Sequence, residues 1–142
     1  MEEPNQIRDD PFRVLVTAAE TGGRLVVMTL DEIPGSELPL HIHQHEDEFI
    51  YVLSGNLTVV VDQERYGAAP GSSFLLPRGS EHGYVVTSAE AKLLVAIFPA
   101  GLETFLQTVC ATGSGREIER LIAQAAHYGL DITSELAEGT GT

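Results

Sequence analysis

The sequence predicts an all-β domain, built as a small barrel, with helices at its C-terminal end. From Phe12 to Phe98 short apolar and alternating runs are broken by Gly, Pro, Asp and Asn, the spacing of a barrel or sandwich. After Pro99-Ala100-Gly101 the apolar period lengthens from two residues to about 3.6. A chain of 142 residues, 43% hydrophobic, has the length of one domain and enough apolar side chains for a core.

Residues 1–11 are acidic, have little to bury, and are expected to be a mobile segment ahead of the domain. Strands are then expected at Arg13 to Ala18, Arg24 to Leu30, His41 to His43, Phe49 to Leu53, Leu57 to Val61, Arg65 to Ala68, Ser73 to Leu76, Gly83 to Val86 and Lys92 to Phe98. These suffice to close a barrel over residues 12–99. Thr21-Gly22-Gly23, Ser54-Gly55-Asn56, Asp62-Gln63-Glu64 and Ala69-Pro70-Gly71 supply residues that tolerate positive φ or pre-set a turn. Residues 100–130 read as two helices packed on the outside of the barrel. Leu102, Phe105, Leu106 and Val109 form the apolar stripe of the first. The second opens with a capping box, Ser114-Gly-Arg-Glu117, runs through Ile118, Leu121, Ile122 and Ala125, and stops near Gly129. Residues 131–142 are expected to be a tail.

A net charge of −13 with only 8 Lys and Arg argues against nucleic acid and anionic membrane as partners. The first ten residues lack the basic and apolar regions of a secretory signal, and no apolar run reaches the roughly 18 residues of a membrane span. A cytoplasmic location is therefore expected. Cys110 is the single cysteine, flanked by Val109 and Ala111 in a helical stripe, and reads as a buried structural residue. Asn56-Leu-Thr58 matches a glycosylation sequon by chance, Gly113-Ser-Gly115 is a linker, and His127 reads as structural near a helix end.

Four side chains carry the chemistry. Residues two apart in a strand face one side, so His41 and His43 project two imidazoles toward a common point. Glu48, five residues on, and His82, from a separate hairpin, can complete a mixed nitrogen and oxygen set. Such a set suits first-row divalent metals better than calcium or magnesium. Four protein donors around an octahedral ion leave positions open for water, substrate or dioxygen.

The stretches Gly35-x5-His41-x-His43-x4-Glu48-x6-Gly55 and Gly71-x5-Pro77-x-Gly79-x2-His82 resemble the two motifs of the cupin superfamily at the glycines, the proline and all four ligand positions. One short inter-motif segment and no second copy make this similar to a single-domain cupin. The run from Leu94 through Pro99-Ala-Gly to Phe105 resembles cupins described as quercetin dioxygenase-like. The resemblance implies a jelly-roll β-barrel in which His41, His43, Glu48 and His82 hold one iron, nickel, manganese, cobalt or zinc ion. It also implies a second role for Glu48, as catalytic base toward an acidic hydroxyl. One position departs: the second motif usually ends in Asn, and Val86 stands there, which bears on pocket polarity and not on metal binding. His45 offers a competing pair with His43, but choosing it loses the match at Gly35.

Strand alternation places Tyr84 on the face of His82, and Ile50 and Val52 on the face of Glu48, as substrate-pocket candidates. Phe74, Leu76, Met28 and Phe98 are equally readable as pocket or core. His45, Glu46 and Asp47 are expected at the mouth or in solvent, and Arg78 exposed, with capture of an anionic substrate as its functional reading. The function expected is dioxygenation of a small enolic or phenolic substrate. The alternatives are a non-redox isomerase or cyclase, and a non-catalytic metal- or ligand-binding module. A homodimer is expected from the resemblance and from edge strands that need cover, with the segment around Phe12 to Val16 adding to the partner's sheet.

Overall fold

The computed structural model describes residues 11–112, 123 and 125–134. Among the described residues, ten strands form two five-stranded antiparallel sheets. In chain order they are β1 (Phe12–Val16), β2 (Val26–Glu32), β3 (Leu40–His43), β4 (Asp47–Ser54), β5 (Leu57–Val61), β6 (Glu64–Ala68), β7 (Ser73–Leu76), β8 (Glu81–Val86), β9 (Ala91–Phe98) and β10 (Leu130–Ser134). The first sheet has the order β1-β2-β9-β4-β7 and the second β10-β3-β8-β5-β6. The expected closed barrel is therefore corrected to two stacked sheets. Closure needs a hydrogen-bonded ladder at each seam, and β7 and β6 end separate sheets, as do β1 and β10.

Alternation builds the core. Along β2 every second residue is buried, and β9 repeats the pattern through Ala91, Leu93, Val95 and Ile97. These rows meet Leu57, Val59 and Val86 from the second sheet in one apolar cluster. Two turns show why particular residues are needed. The β5–β6 hairpin turns on two residues, Asp62 and Gln63, both with positive φ (48° and 75°), the twist that favours tight hairpins. Gly55, φ +84°, carries the chain from β4 across to the second sheet, and a Cβ there would overlap the Glu90 carbonyl and the Ala91 backbone.

Between β1 and β2 lies a one-turn helix, α1 (Ala18–Thr21), where the sequence predicts the end of a strand and a turn. Thr17 and Glu20 form a reciprocal capping box, and Gly22 closes the turn in the left-handed region. The first expected C-terminal helix is α2 (Glu103–Thr112); it holds Val109 and Cys110, whose side chains lie outside the described residues. Leu102, just before α2, and Phe105 and Leu106 on it enter the core cluster. Most of the second helix, with its capping box and stripe, lies outside the described residues, as do residues 1–10. Its end is seen: residues 125–127 are helical and Gly129 has φ +78°. Leu130 to Ser134, given to the tail or the boundary before it, instead pair with β3, Leu130 opposite His43 and Ile132 opposite His41. No helix among the described residues is long and apolar enough to cross a membrane.

Candidate metal centre

The four predicted ligands come together in the layer between the sheets. His41 and His43 face inward from β3, His41 stands directly opposite His82 on β8, and Glu48 reaches them from β4 of the other sheet. All four are buried, and one donor atom from each lies within 4.8 Å of the others. The motif's Pro77-Arg78-Gly79 turn fastens the ligand strands together. Gly79 N–H donates to the His43 carbonyl at 2.9 Å, and Arg78 N–H to the Asp47 carboxylate at 2.8 Å.

The donor set fits a metal. His41 Nδ1 lies 2.7 Å from the Pro39 carbonyl, which can only accept, so Nδ1 carries the proton and Nε2 keeps its lone pair. His43 Nε2 is buried and makes no hydrogen bond, although Glu48 Oε1 lies 3.0 Å away. The same Oε1 is 3.3 Å from His82 Nε2. Buried nitrogens crowded around one carboxylate oxygen, with His43 Nε2 left without a hydrogen bond and His82 Nε2 making one at 3.3 Å, match donors to a common divalent ion about 2 Å from each. Burial opposes ionisation of Glu48, but the imidazoles of His43 and His82 outweigh it and hold the carboxyl well below the usual carboxylate range. Burial, reinforced by the neighbouring His82 and His43, pushes His41 far down, so it is a neutral ligand. Burial also opposes charge on His43, yet Glu46 and Glu48 beside it raise its proton affinity.

Sequence profiles of the Cupin domain match residues 28–98, half of the chain. The chain belongs to the cupin family. Two relatives of this cupin are quercetin 2,3-dioxygenase of Bacillus subtilis (strain 168), 25% identical over 71% of this chain, and polyketide synthase CurC of Streptomyces cyaneus, 29% identical over 68%. The matched stretch spans only 30% and 64% of those two proteins. The structure of KdgF from Halomonas sp. superposes with a TM-score of 0.58 at 20% identity, over 66% of this chain and 81% of that one, a likeness of fold alone.

Beside the ligand cluster a pocket is lined by Leu30, Glu32, Leu38, Tyr84 and Leu106, with Ser36 and Gly83. Tyr84 is where strand alternation places it. Ile50 and Val52 are not: both are fully buried in the core and absent from the lining. They share the face of Glu48, but lie farther along β4, paired with Val95 and Leu93. Met28 and Leu76 are core as well. Glu46, expected at the mouth or in solvent, is buried, with Oε1 3.7 Å from His43 Nδ1, an ion-pair distance without a hydrogen bond. His45 is exposed and packs beside Gly129, where a Cβ would strike its ring. Arg78 is exposed and paired with Asp47, which raises the proton affinity of the guanidinium and lowers that of the carboxylate. Val86 packs in the core, and its N–H donates to Glu37. Sequence reasoning missed Glu32. The signal was an acid at the fourth inward position of β2, after Val26, Met28 and Leu30.

Proposed function

We propose that this cupin is a metal-dependent enzyme that oxygenates a small enolic or phenolic molecule. The observation that carries the reading is a three-His, one-Glu donor set, buried and partly without hydrogen bonds, at the wall of a mostly apolar pocket. When bound, an iron, nickel, manganese, cobalt or zinc ion supplies Lewis acidity toward a substrate oxygen and, if redox-active, an electron path to dioxygen. His41, His43, Glu48 and His82 hold the ion. Leu30, Leu38 and Leu106 give the carbon skeleton a dry surface. In this reading Glu48, a carboxylate in the pocket wall, has a second role as the base that takes the proton of an acidic substrate hydroxyl. The relative named quercetin 2,3-dioxygenase supports this reading.

A non-redox cyclase or isomerase is the second reading. It is favoured by the relative named a polyketide synthase, of which this chain matches the larger share. Elemental analysis of untagged protein and of His41→Ala, followed by oxygen-uptake assays with phenolic and enolic substrates, tests both. Near one redox-active ion per chain, lost in the variant, with oxygen consumed, is the expected result. Zinc with product formed and no oxygen consumed supports the second reading, and no metal in either protein supports a non-catalytic binding module.

A further inference from the structure

The ligand cluster is not the whole polar content of the pocket. Glu32 ends the inward row of β2 and is 7% exposed. Its Oε2 accepts from the Tyr84 hydroxyl at 2.6 Å and its Oε1 from Ser36 Oγ at 2.5 Å. A carboxylate has about four lone-pair sites, and these bonds use two. Among the described residues, Leu30, Leu38, Gly83 and Leu106 make up the rest of the lining beyond the ligands and have no polar side-chain atom.

Glu32 is a separate station from the metal cluster. Glu48 shares a row with Ile97 and Val26, whereas Glu32 pairs with Ala91, six residues beyond Val26 on β2. Burial, and after it Ser36, Tyr84, Glu37 and Asp31, set its proton affinity; no imidazole ligand is among them. A purely structural role explains little. The Ile33–Ser36 turn closes through its own backbone bond at 2.9 Å, and a buried carboxylate costs more than a leucine or glutamine in its place.

We propose that Glu32 is the specificity determinant of the pocket, accepting a hydrogen bond from a substrate hydroxyl at a point set apart from the metal cluster. The pocket then takes small molecules with two oxygen groups, one for the metal end and one hydroxyl for Glu32. The inference rests on the proposed function, because it supposes that substrate oxygen binds at the metal end.

Calorimetric titration of zinc-loaded full-length protein with hydroquinone, 4-(hydroxymethyl)phenol and 4,4′-biphenol, each beside its mono-O-methyl ether bearing one phenol, tests it. At about pH 8.5, above the raised pKa of Glu32, at least one diol should bind about tenfold or more tightly than its ether, the worth of one hydrogen bond to a charged group. In Glu32→Leu that ratio should fall to within about twofold, while zinc stoichiometry stays unchanged. Equal binding of diols and ethers by the wild type, a measurement that needs no variant, overturns the inference. So does an unchanged ratio in Glu32→Leu. Probes that fail to bind, or bind equally without zinc, overturn the proposed function and the inference with it.

Discussion

At the scale of single residues, the charge states of the buried acids separate two tasks. Glu48 is held ionised by the imidazoles around it, whereas among the described residues Glu32 has hydroxyl partners, and burial raises its pKa from 4.5 to about 7. A carboxyl whose folded pKa is raised binds more protons folded than unfolded between those two values. Stability therefore falls as pH rises through that window. The full difference is on the order of 3 kcal/mol. Glu32→Gln has no such titration and should melt higher than the wild type at pH 8, with the gap closing toward pH 4.5. Thermal melting of both proteins across that range checks it, and parallel curves would show that Glu32 is not a buried acid. A residue kept at a stability cost in a pocket wall is consistent with a role in binding.

At the scale of elements, the centre depends on how β3 is held. Only four residues long, it carries two ligands and is flanked by β8 on one side and β10 on the other. Leu130 on β10 is fully buried and sits opposite His43. Leu130→Ala should cost about 3 kcal/mol of stability and loosen the flank of the ligand strand. Chemical denaturation together with metal retention after dialysis checks both effects. Loss of stability with undiminished metal retention would mean that β8 alone fixes β3. The reach of Gln44 Nε2 to Asp131 at 2.6 Å adds a second tie between the two segments.

At the scale of the whole molecule, the first sheet carries an apolar patch on its outer face as well as the core on its inner one. Its inner face is core, and on its outer face Tyr51, Leu53 and Leu75 are exposed, Leu75 the most at 61%, beside half-buried Phe49 and Leu94. We propose that a second copy of the chain covers this surface, which is larger than a scatter of single exposed residues. The segment expected to cover a partner's sheet, Phe12 to Val16, pairs within its own chain with β2 and buries Phe12. Sedimentation should give twice the 15.3 kDa chain mass, and Leu75→Asp should return it to one. A wild-type protein that sediments as a single chain removes the proposal.

All nine strands from Phe12 to Phe98 were legible because each announces itself locally, by a period of two between turn residues, and their bounds shift by only a few residues. The ligand set was legible because His41 and His43 share a face by alternation alone and the motif frame places Glu48 and His82. α1 was written in Thr17 and Glu20 but was overlooked. β10 was not legible in the same way: a five-residue segment after a helix becomes a strand only because β3 offers it an edge. Pocket membership was least accessible. Alternation says which face a side chain takes, so Ile50, Val52 and Glu48 looked equivalent, but what packs opposite each inward side chain decides which of them reaches the pocket. By itself the sequence determined the strands, the family and the four donors, which depend on local pattern. The tertiary structure alone decided that the sheets stay open, that Glu46 is buried beside His43, and that Glu32 faces the pocket, because each depends on which distant segment packs opposite.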